Sequence, residues 1–542
     1  MNVHFLSRVS LALWALSSLS VSWSQTKTTA STDPVEALVE AINVRHLGPG
    51  TMSGRVTSIA VPKDSPEVVY VGTASGGLWK STSAGVTWEP LFDDQPTQSI
   101  GAVALSAVNP DLVWAGTGEG NPRNSHTSGR GIYKSLDAGE TWSCMGLEDT
   151  KNIHRILVHP RDPNTVFVAA TGSAWGDSEA RGVYKTTNGG LTWDHILSVD
   201  GRTGCAELIM DPSNPDKLFA AMWSFRRLPW TFQSGGEGSG LYVTHDGGDT
   251  WVERTSEDGL PEGELGRMGL AMSAANPDVV YALVESTDYA LYRSDDGGQT
   301  FSLRSKDSDV GNRPFYYAEI HADPTNEDHV FSLWSMVSKS TDGGRTFEVI
   351  LPYRGVHPDH HALYIHPTDP NYLINGNDGG LNFSRDGGDN WTFVNNLPVG
   401  QFYHIAVDNA EPYNVYGGMQ DNGSWVGPSA VWHTGGIRNE DWQEILFGDG
   451  FDVQPTGDGD VYAMYQGGAV NRVNLTTLGS TDIQPVSPDS VPLRFAWNGA
   501  LALDPHSQDG LFFGSQRLHH SPDRGRTWAT LSGDLTTNDP DK

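Results

Sequence analysis

The sequence is poor in cysteine and in basic residues, and both scarcities restrict its function. Only 2 of its 542 residues are cysteine, which excludes a disulfide framework and a cysteine-based zinc cluster. Lysine and arginine number 35 against 66 aspartates and glutamates, so the formal net charge is −31 at pH 7. Because so negative a surface repels phosphate groups, we predict no nucleic-acid partner.

Long apolar runs are also scarce. Val9–Val21 is apolar but too short to anchor the chain in a bilayer, and Arg8 precedes it. Ser22-Trp23-Ser24 offers small residues at the two positions that a signal peptidase reads. We therefore predict a cleavable signal peptide over 1–24, a flexible lead-in over 25–41 and no transmembrane segment. This pattern is typical of a secreted or periplasmic protein.

Glycine and tryptophan are abundant instead, at 62 and 18 residues, which favours short strands joined by tight turns. The motif Ser/Thr-x-Asp-x-Gly-x-Thr-Trp/Phe recurs, with Ser83 and Asn188 replacing the acid in two copies and Asn390 replacing the threonine in another. The copies span 81–88, 135–142, 186–193, 244–251, 294–301, 340–347, 384–391 and 521–528. The first seven start 44 to 58 residues apart, whereas the last follows a gap of 137.

Each repeat reads as four short strands, the pattern of a propeller blade. In the seventh repeat the predicted strands are 361–366, 372–375, 381–384 and 391–394. The sequence thus predicts an all-β propeller of about ten four-stranded blades, with blades 1–7 in 42–400 and blades 8–10 in 401–542. The spacing leaves open one ten-bladed ring or a seven-bladed ring plus part of a second.

The motif resembles the Asp-box (BNR) repeat, and longer segments resemble bacterial BNR propeller proteins, the sortilin N-terminal propeller and xyloglucanase-type glycosyl hydrolases. These segments are 54–56, 76–81, 360–363, 376–380 and 417–423. The resemblance implies an exported propeller that binds a glycan or a peptide at its top mouth. The alternative is a glycoside hydrolase that acts on a polysaccharide. Sortilin's cysteine-rich modules are absent, so that likeness stops at the propeller.

The repeated aspartates are predicted to build turns rather than to catalyse, because a motif present eight times cannot mark one active site. Ligands are expected on the opposite mouth, where loops from many blades converge. Aromatic and polar side chains there suit sugar stacking and hydroxyl hydrogen bonds. The predicted ligand-binding residues are Arg55, Arg130, Trp175, Trp223, Tyr403, His404, Gln420 and Asn422.

Glycoside hydrolysis needs two carboxylates that face one bond. By resemblance to the xyloglucanases, one acid belongs at Ala74 and the other at Asn377, and neither residue can supply it. The candidate replacement acids are Asp378, Asp421, Asp449 and Glu119. A sialidase is a weaker alternative, because its arginine triad and Tyr/Glu pair cannot be assembled from the sequence.

The densest histidine and aspartate cluster supplies the candidate metal ligands His357, Asp359 and His360. Imidazole and carboxylate groups suit a transition metal, although a hydrogen-bonded loop is the alternative. We predict no organic cofactor, and a structural calcium at the aspartate-rich turns stays open.

An incomplete second ring would leave sheet edges exposed, so we expect a partner or a missing C-terminal half to cover the last blades. Cys144 and Cys205 lie two blades apart on different strands, which predicts two free thiols, both buried.

Overall fold

The computed structural model describes residue 47, residues 53–123 and residues 125–541. The predicted signal peptide and lead-in lie outside the described residues. Ten antiparallel sheets follow one another along the chain, and each is built from consecutive strands. This confirms the predicted all-β propeller of about ten four-stranded blades. In the described part of the chain, no helix combines the length and the hydropathy that crossing a bilayer requires.

The strands of the first seven blades are short and sequential. Blade 1 contains Val56–Ala60, Val69–Thr73, Leu78–Ser81 and Glu89–Pro90, and blade 2 contains Ile100–Leu105, Val113–Thr117, Ile132–Ser135 and Ser143–Cys144. Blade 3 contains Ile153–Val158, Val166–Ala170, Gly182–Thr186 and Asp194–Leu197. Blade 4 contains Thr203–Met210, Leu218–Leu228, Gly240–Thr244 and Val252–Arg254, with Thr231–Ser234 as an extra strand. Blade 5 contains Met268–Ser273, Asn276–Glu285, Tyr289–Ser294 and Ser302–Ser305. Blade 6 contains Ile320–Asp323, Asn326–Leu333, Val337–Ser340 and Glu348–Leu351, and blade 7 contains His360–His366, Asp369–Asn377, Gly380–Ser384 and Thr392–Phe393.

The last three blades have the same strand order. Blade 8 contains Phe402–Val407, Asn414–Met419, Gly423–Pro428 and Gln443–Leu446, and blade 9 contains Val453–Pro455, Asp460–Tyr465, Ala469–Asn474 and Ser480–Asp482. Blade 10 contains Ala500–Leu503, Leu511–Gly514, Leu518–Ser521 and Ala529–Thr530. Short 3₁₀ turns occur at Glu148–Thr150, Ser256–Asp258, Ser308–Val310, Asn439–Asp441 and Gln466–Gly468.

Blade 1 packs against blade 7, which closes the first seven blades into a ring. Val56 of blade 1 shares one buried apolar cluster with Ile374 of blade 7. The Ser53 hydroxyl donates to the carbonyl of Leu397 at 3.0 Å, and these residues lie 344 positions apart. The structure therefore favours the seven-bladed ring with a separate group of three blades.

Blades 8–10 pack on one another in sequence, but blade 8 has an uncovered face. Tyr416 of blade 8 lies in one cluster with Val461 of blade 9. On the innermost strand of blade 8, however, Ile405 is 73% exposed and Val407 is 58% exposed. The innermost strand of blade 1, by contrast, begins with the fully buried Val56. That a partner or a missing C-terminal half covers this face stays a prediction.

The repeated aspartates lie in turns and bind their own motif. Asp137 accepts a hydrogen bond from the Thr141 hydroxyl at 2.6 Å and another from the Thr141 backbone N–H at 2.9 Å. These bonds lower the pKa of Asp137 to about 2. The motif's Trp142 donates from Nε1 to the carbonyl of Leu91 in the preceding blade at 2.8 Å. The motif thus fixes both a turn and a blade contact.

Both cysteines are free, as predicted, but only Cys205 is buried. The prediction that Cys144 is buried is wrong. Cys144 lies on the outermost strand of blade 2, and that edge strand has no further strand beside it.

Close approach of neighbouring blades leads to a first prediction. A Cβ atom at Gly269 would overlap the carbonyl oxygen of Ala318 in blade 6. We expect Gly269→Ala to lower the free energy of unfolding by about 1–3 kcal/mol in urea titrations, because a packed backbone must shift. Gly54→Ala is the control, since its nearest neighbour would lie 3.5 Å away. Equal stability of the two variants would contradict this packing.

Candidate functional site

Arg55 is the centre of the candidate site, and three carboxylates bind its one guanidinium group. The backbone preceding the innermost strand of blade 1 places Arg55 inside the ring, with no exposed side-chain surface. Its Nη1 donates to Glu119 at 2.6 Å, and its Nε donates to Asp378 at 2.7 Å. Its Nη2 lies 3.3 Å from an oxygen of Asp421. The site therefore joins blades 1, 2, 7 and 8.

Asp378 is ionised although it is buried. Besides the bonds from Arg55, it accepts a hydrogen bond from the Tyr316 hydroxyl at 2.6 Å. The imidazole Nε2 of His361 lies 2.9 Å from its other oxygen. Burial alone would raise the pKa of Asp378, but the charge of Arg55 and the contact with His361 hold it well below its usual value. This carboxylate is saturated and shielded from solvent.

Asp421 differs from the other acids because its pKa is raised and its side chain reaches the surface. It lies in the turn between the second and third strands of blade 8, with a left-handed φ of 59°. Its side chain is 17% exposed. Burial raises the pKa of Asp421 well above its usual value, and the charges of Asp378 and Asp449 raise it further. Strained backbone at a carboxyl with a shifted pKa is a pattern found at active sites.

Asp449 positions Asp421 rather than standing apart from it. One oxygen of Asp449 accepts a hydrogen bond from the backbone N–H of Asp421 at 2.8 Å. Its other oxygen accepts one from Nε1 of Trp497 at 2.9 Å. All four candidate acids therefore lie in one cluster. An oxygen of Asp378 and an oxygen of Asp421 each lie 3.3 Å from the same nitrogen of Arg55, so they are at most twice that distance apart.

A second buried ion network lies deeper in the ring, and sequence reasoning missed its main members. Arg267 donates to Glu319 at 3.2 Å and to the side-chain oxygen of Asn121 at 2.7 Å. Arg155 pairs with Glu207 at 2.7 Å. Arg267 could have been found from the sequence, because Gly266-Arg267-Met268 repeats the pattern Gly54-Arg55-Val56 at the start of an innermost strand.

Of the predicted ligand-binding residues, Arg55, Gln420 and Asn422 join the acid cluster. Asn422 donates to the carbonyl of Asp378 at 2.9 Å, and Gln420 binds the hydroxyl of Ser125. Tyr403 also lies beside the cluster, since burial raises its pKa and the charges of Asp449 and Asp421 raise it further, while its ring stacks on Phe451. The other four lie elsewhere: Trp223 is buried against Phe225, His404 binds Asn498, and Arg130 and Trp175 are exposed.

The candidate metal ligands each have a different partner. Nε2 of His357 lies 2.9 Å from the backbone oxygen of Asp421, and Nδ1 of His360 lies 2.8 Å from the side-chain oxygen of Asn375. Asp359 accepts a hydrogen bond from the hydroxyl of Tyr317 at 2.7 Å. No group of three metal-binding side chains is assembled within residues 53–123 and 125–541. The metal site stays a prediction that the geometry does not support.

A cavity with aromatic walls lies beside Asp421, between blades 7 and 8. Its volume is about 390 Å³. His357, which contacts the backbone of Asp421, forms part of its wall. The other lining residues are Tyr353, Gly355, Val356, Pro358, Gly379, Phe393 and Phe447. Apolar and aromatic walls next to a few polar groups are typical of ligand sites.

Together the fold and the site define a multi-bladed β-propeller with ion pairs at its centre and one carboxyl of raised pKa at its mouth. In sequence the chain is similar to a xyloglucanase of Paenibacillus sp, with 21% identity over 450 residues, 76% of this chain. The alignment covers only 38% of that relative. No protein-family model matches the chain.

Among solved structures, the chain is similar to the GH74 enzyme of Niastella koreensis, with a TM-score of 0.60 and 16% identity. That match covers 90% of this chain and 73% of the other. The GH74 xyloglucanase of Xanthomonas campestris matches with a TM-score of 0.55 and 15% identity, over 90% and 80% of the two chains. At these identities the likeness shows the fold.

Proposed function

We propose that the protein is an exported glycoside hydrolase that acts on a polysaccharide, with Asp421 as the general acid. The observation that carries this proposal is the contrast between Asp421 and Asp378. Asp421 is partly exposed and its pKa is raised, Asp378 is buried and its pKa is lowered, and the two share Arg55. Glycosidases use such a pair, since the leaving oxygen needs a proton while the oxocarbenium-like transition state needs a negative charge.

The surrounding residues have defined tasks in this proposal. Asp449 fixes the backbone of Asp421, and its negative charge helps to raise the pKa of that carboxyl. Asp378 and Glu119 are buried against Arg55, so they act through their charge. Asp449 is the carboxylate that contacts the acid itself and is the candidate base. The aromatic cavity beside His357 supplies a surface on which a sugar ring can stack. The sequence similarity to xyloglucanases supports a glycan as the substrate.

Glycan binding without hydrolysis is the second candidate function, and specific residues favour it. Ala74 and Asn377 occupy the positions at which the resemblance to xyloglucanases calls for acids. In addition, Arg55 lies among the carboxylates, where the water that attacks the sugar would have to bind. Both functions place the glycan at the same mouth, so measured turnover decides between them.

The decisive experiment compares Asp421→Asn with wild type on xyloglucan and a panel of other polysaccharides. We expect the wild type to release new reducing ends and the variant to lose about 10²-fold or more in kcat, as removal of a general acid does. The wild-type rate should fall on the alkaline side as Asp421 loses its proton, and the variant should lack this limb. Reducing-sugar assays over a pH series measure both effects.

Asp389→Asn is the matched control, because Asp389 is exposed on a repeat turn. It should retain wild-type turnover. Full activity of Asp421→Asn would contradict the assigned acid. A wild-type protein that binds glycans on an array but releases no reducing ends would replace the hydrolase by the binding function.

A further inference from the structure

Two arginines above the acid cluster lie against one tyrosine ring. The guanidinium carbon of Arg123, from a loop of blade 2, is 5.0 Å from the centroid of the Tyr316 ring. That of Arg313, which precedes blade 6, is 6.0 Å from the same centroid and 5.6 Å from that of Tyr317. Aromatic rings attract cations without neutralising their charge. Both arginines therefore keep charge available for an anion.

Neither arginine is saturated as Arg55 is. The Nε atom of Arg123 is buried without a hydrogen-bond partner among the described residues. Burial lowers the pKa of Arg123, but Tyr316 and the charges of Asp421 and Asp378 raise it above its usual value, so an anion would bind here beside those carboxylates. The nearest carboxylate to Arg313 is that of Asp359 at 3.8 Å, which is too long for a hydrogen bond. A buried donor without a hydrogen-bond partner costs free energy, so an anion that accepts a hydrogen bond from it would bind more tightly.

A third arginine approaches from blade 4. Arg227 lies on the hairpin formed by Leu218–Leu228 and Thr231–Ser234, 5.9 Å from the centroid of the Phe232 ring. Phe232 contacts Phe315 next to blade 6, with ring centroids 4.9 Å apart. Burial lowers the pKa of Arg227, and the charge of Arg123 lowers it further, which places the two cations near each other. Cations from blades 2, 4 and 6 thus border one mouth.

We propose that this mouth binds the acidic group, a carboxylate or a sulfate ester, of a sugar residue in an anionic polysaccharide. The inference rests on the proposed function and names its substrate class. An arginine fork pairs with carboxylate and sulfate oxygens through two parallel hydrogen bonds. Trp175 and Trp230, which are 46% and 47% exposed, offer rim surfaces for sugar rings.

The net charge of the protein further restricts the class of ligand that can bind. With a net charge of −31, the protein repels densely charged polymers such as nucleic acids. This repulsion is screened beyond roughly 8–10 Å at physiological salt, whereas ion pairs inside a partly buried mouth are screened much less. A glycan that carries acidic residues among neutral ones therefore fits this combination better than a uniformly charged chain does.

The test is calorimetric titration of the full chain with a glucuronoxylan oligosaccharide that carries one uronic acid among neutral residues, with its carboxyl-reduced neutral counterpart and with a galactan oligosaccharide of the same length that carries one sulfate ester. We expect one acidic probe to bind at least 10-fold more tightly than the neutral one, with an affinity that falls as salt rises. Arg123→Gln and Arg227→Gln should each weaken the acidic probe about 10-fold and leave the neutral probe unchanged. Arg313→Gln is a third variant in case one of these fails to fold.

Arg161→Gln is the control, since Arg161 is exposed on a turn of the opposite face. It should bind like the wild type. The acidic probe that binds identifies carboxylate or sulfate as the recognised group. Equal affinity for acidic and neutral probes, or no effect of any of the three variants, would overturn the inference. If the protein hydrolysed a neutral glycan and showed no preference for acidic probes, this inference would fail and the proposed hydrolase function would remain. If it bound the acidic probe without turnover, this inference would remain and the hydrolase function would fail.

Discussion

Arg55→Met is expected to lower the free energy of unfolding by about 3–5 kcal/mol at pH 7. The substitution removes the cation that Glu119, Asp378 and Asp421 share, and the first two of these carboxylates are almost fully buried. Each stranded carboxylate must then take up a proton or remain ionised in a medium of low polarity, and both are costly. Denaturant titration followed by tryptophan fluorescence measures the loss.

Second variants separate electrostatics from lost packing. In the Arg55→Met background, Glu119→Gln and Asp378→Asn should regain part of the stability, because they remove the stranded charges. Arg345→Met is the surface control, with an expected change within about 0.5 kcal/mol, since Arg345 is exposed on a repeat turn. A loss of under 1 kcal/mol for Arg55→Met would contradict the ionised cluster.

The fold could be predicted because its signal is local. In each complete copy of the motif the Ser or Thr, the aspartate and the threonine that close the turn lie within a few residues of one another, as Ser135, Asp137 and Thr141 do. Ring closure carries no such signal. It depends on the packing of Val56 against Ile374, more than three hundred residues away, and many apolar pairs would satisfy the same pattern. The choice between ten blades and seven plus three therefore needed the structure.

The candidate site was only partly predictable. The loop positions of Asp378 and Asp421 indicated that both face the mouth, and both lie there. Their opposite pKa shifts could not be predicted, because these depend on how Arg55 divides its contacts among blades 2, 7 and 8. Aromatic residues gave the weakest guidance. Trp223 is fully buried whereas Trp175 is exposed, yet each occupies a mouth-side position in its repeat.

The two buried networks also link the blades to one another at the centre of the ring. Arg55 and Arg267 each bring carboxylate or amide partners from other blades to the ring centre. Such pairs are weak evidence for net stability, but breaking one is severe, so they fix the register of the blades. Arg123 and Arg313 take no part in these two networks, so a ligand can bind them without disturbing the ring.

Acidification from pH 6.5 to pH 5 is expected to remove stability that four histidines contribute. Burial lowers the pKa of His154 to about 3, and Arg155 adds to the effect. Burial likewise lowers the pKa of His360 to about 3, that of His321 to about 4 and that of His126 below its usual value. In the unfolded chain all four titrate near 6.5, so below that pH the unfolded state binds protons that the folded state does not. These histidines therefore make stability rise with pH across this window, whereas the raised pKa of Asp421 acts in the opposite direction.

Each buried histidine contributes at most about 1.4 kcal/mol per pH unit, so His154→Gln and His360→Gln should each remove about 1.5–2 kcal/mol of the wild-type change between pH 6.5 and pH 5, because a glutamine does not titrate. His245→Gln, at an exposed position, should leave the slope unchanged. Asp378 loses stability in the same direction as the histidines, but only below about pH 4, since the pKa of that carboxyl is lowered. Denaturant titrations of each variant at a series of pH values measure these differences. If both histidine variants kept the wild-type pH dependence, the folded protein would protonate these histidines without cost.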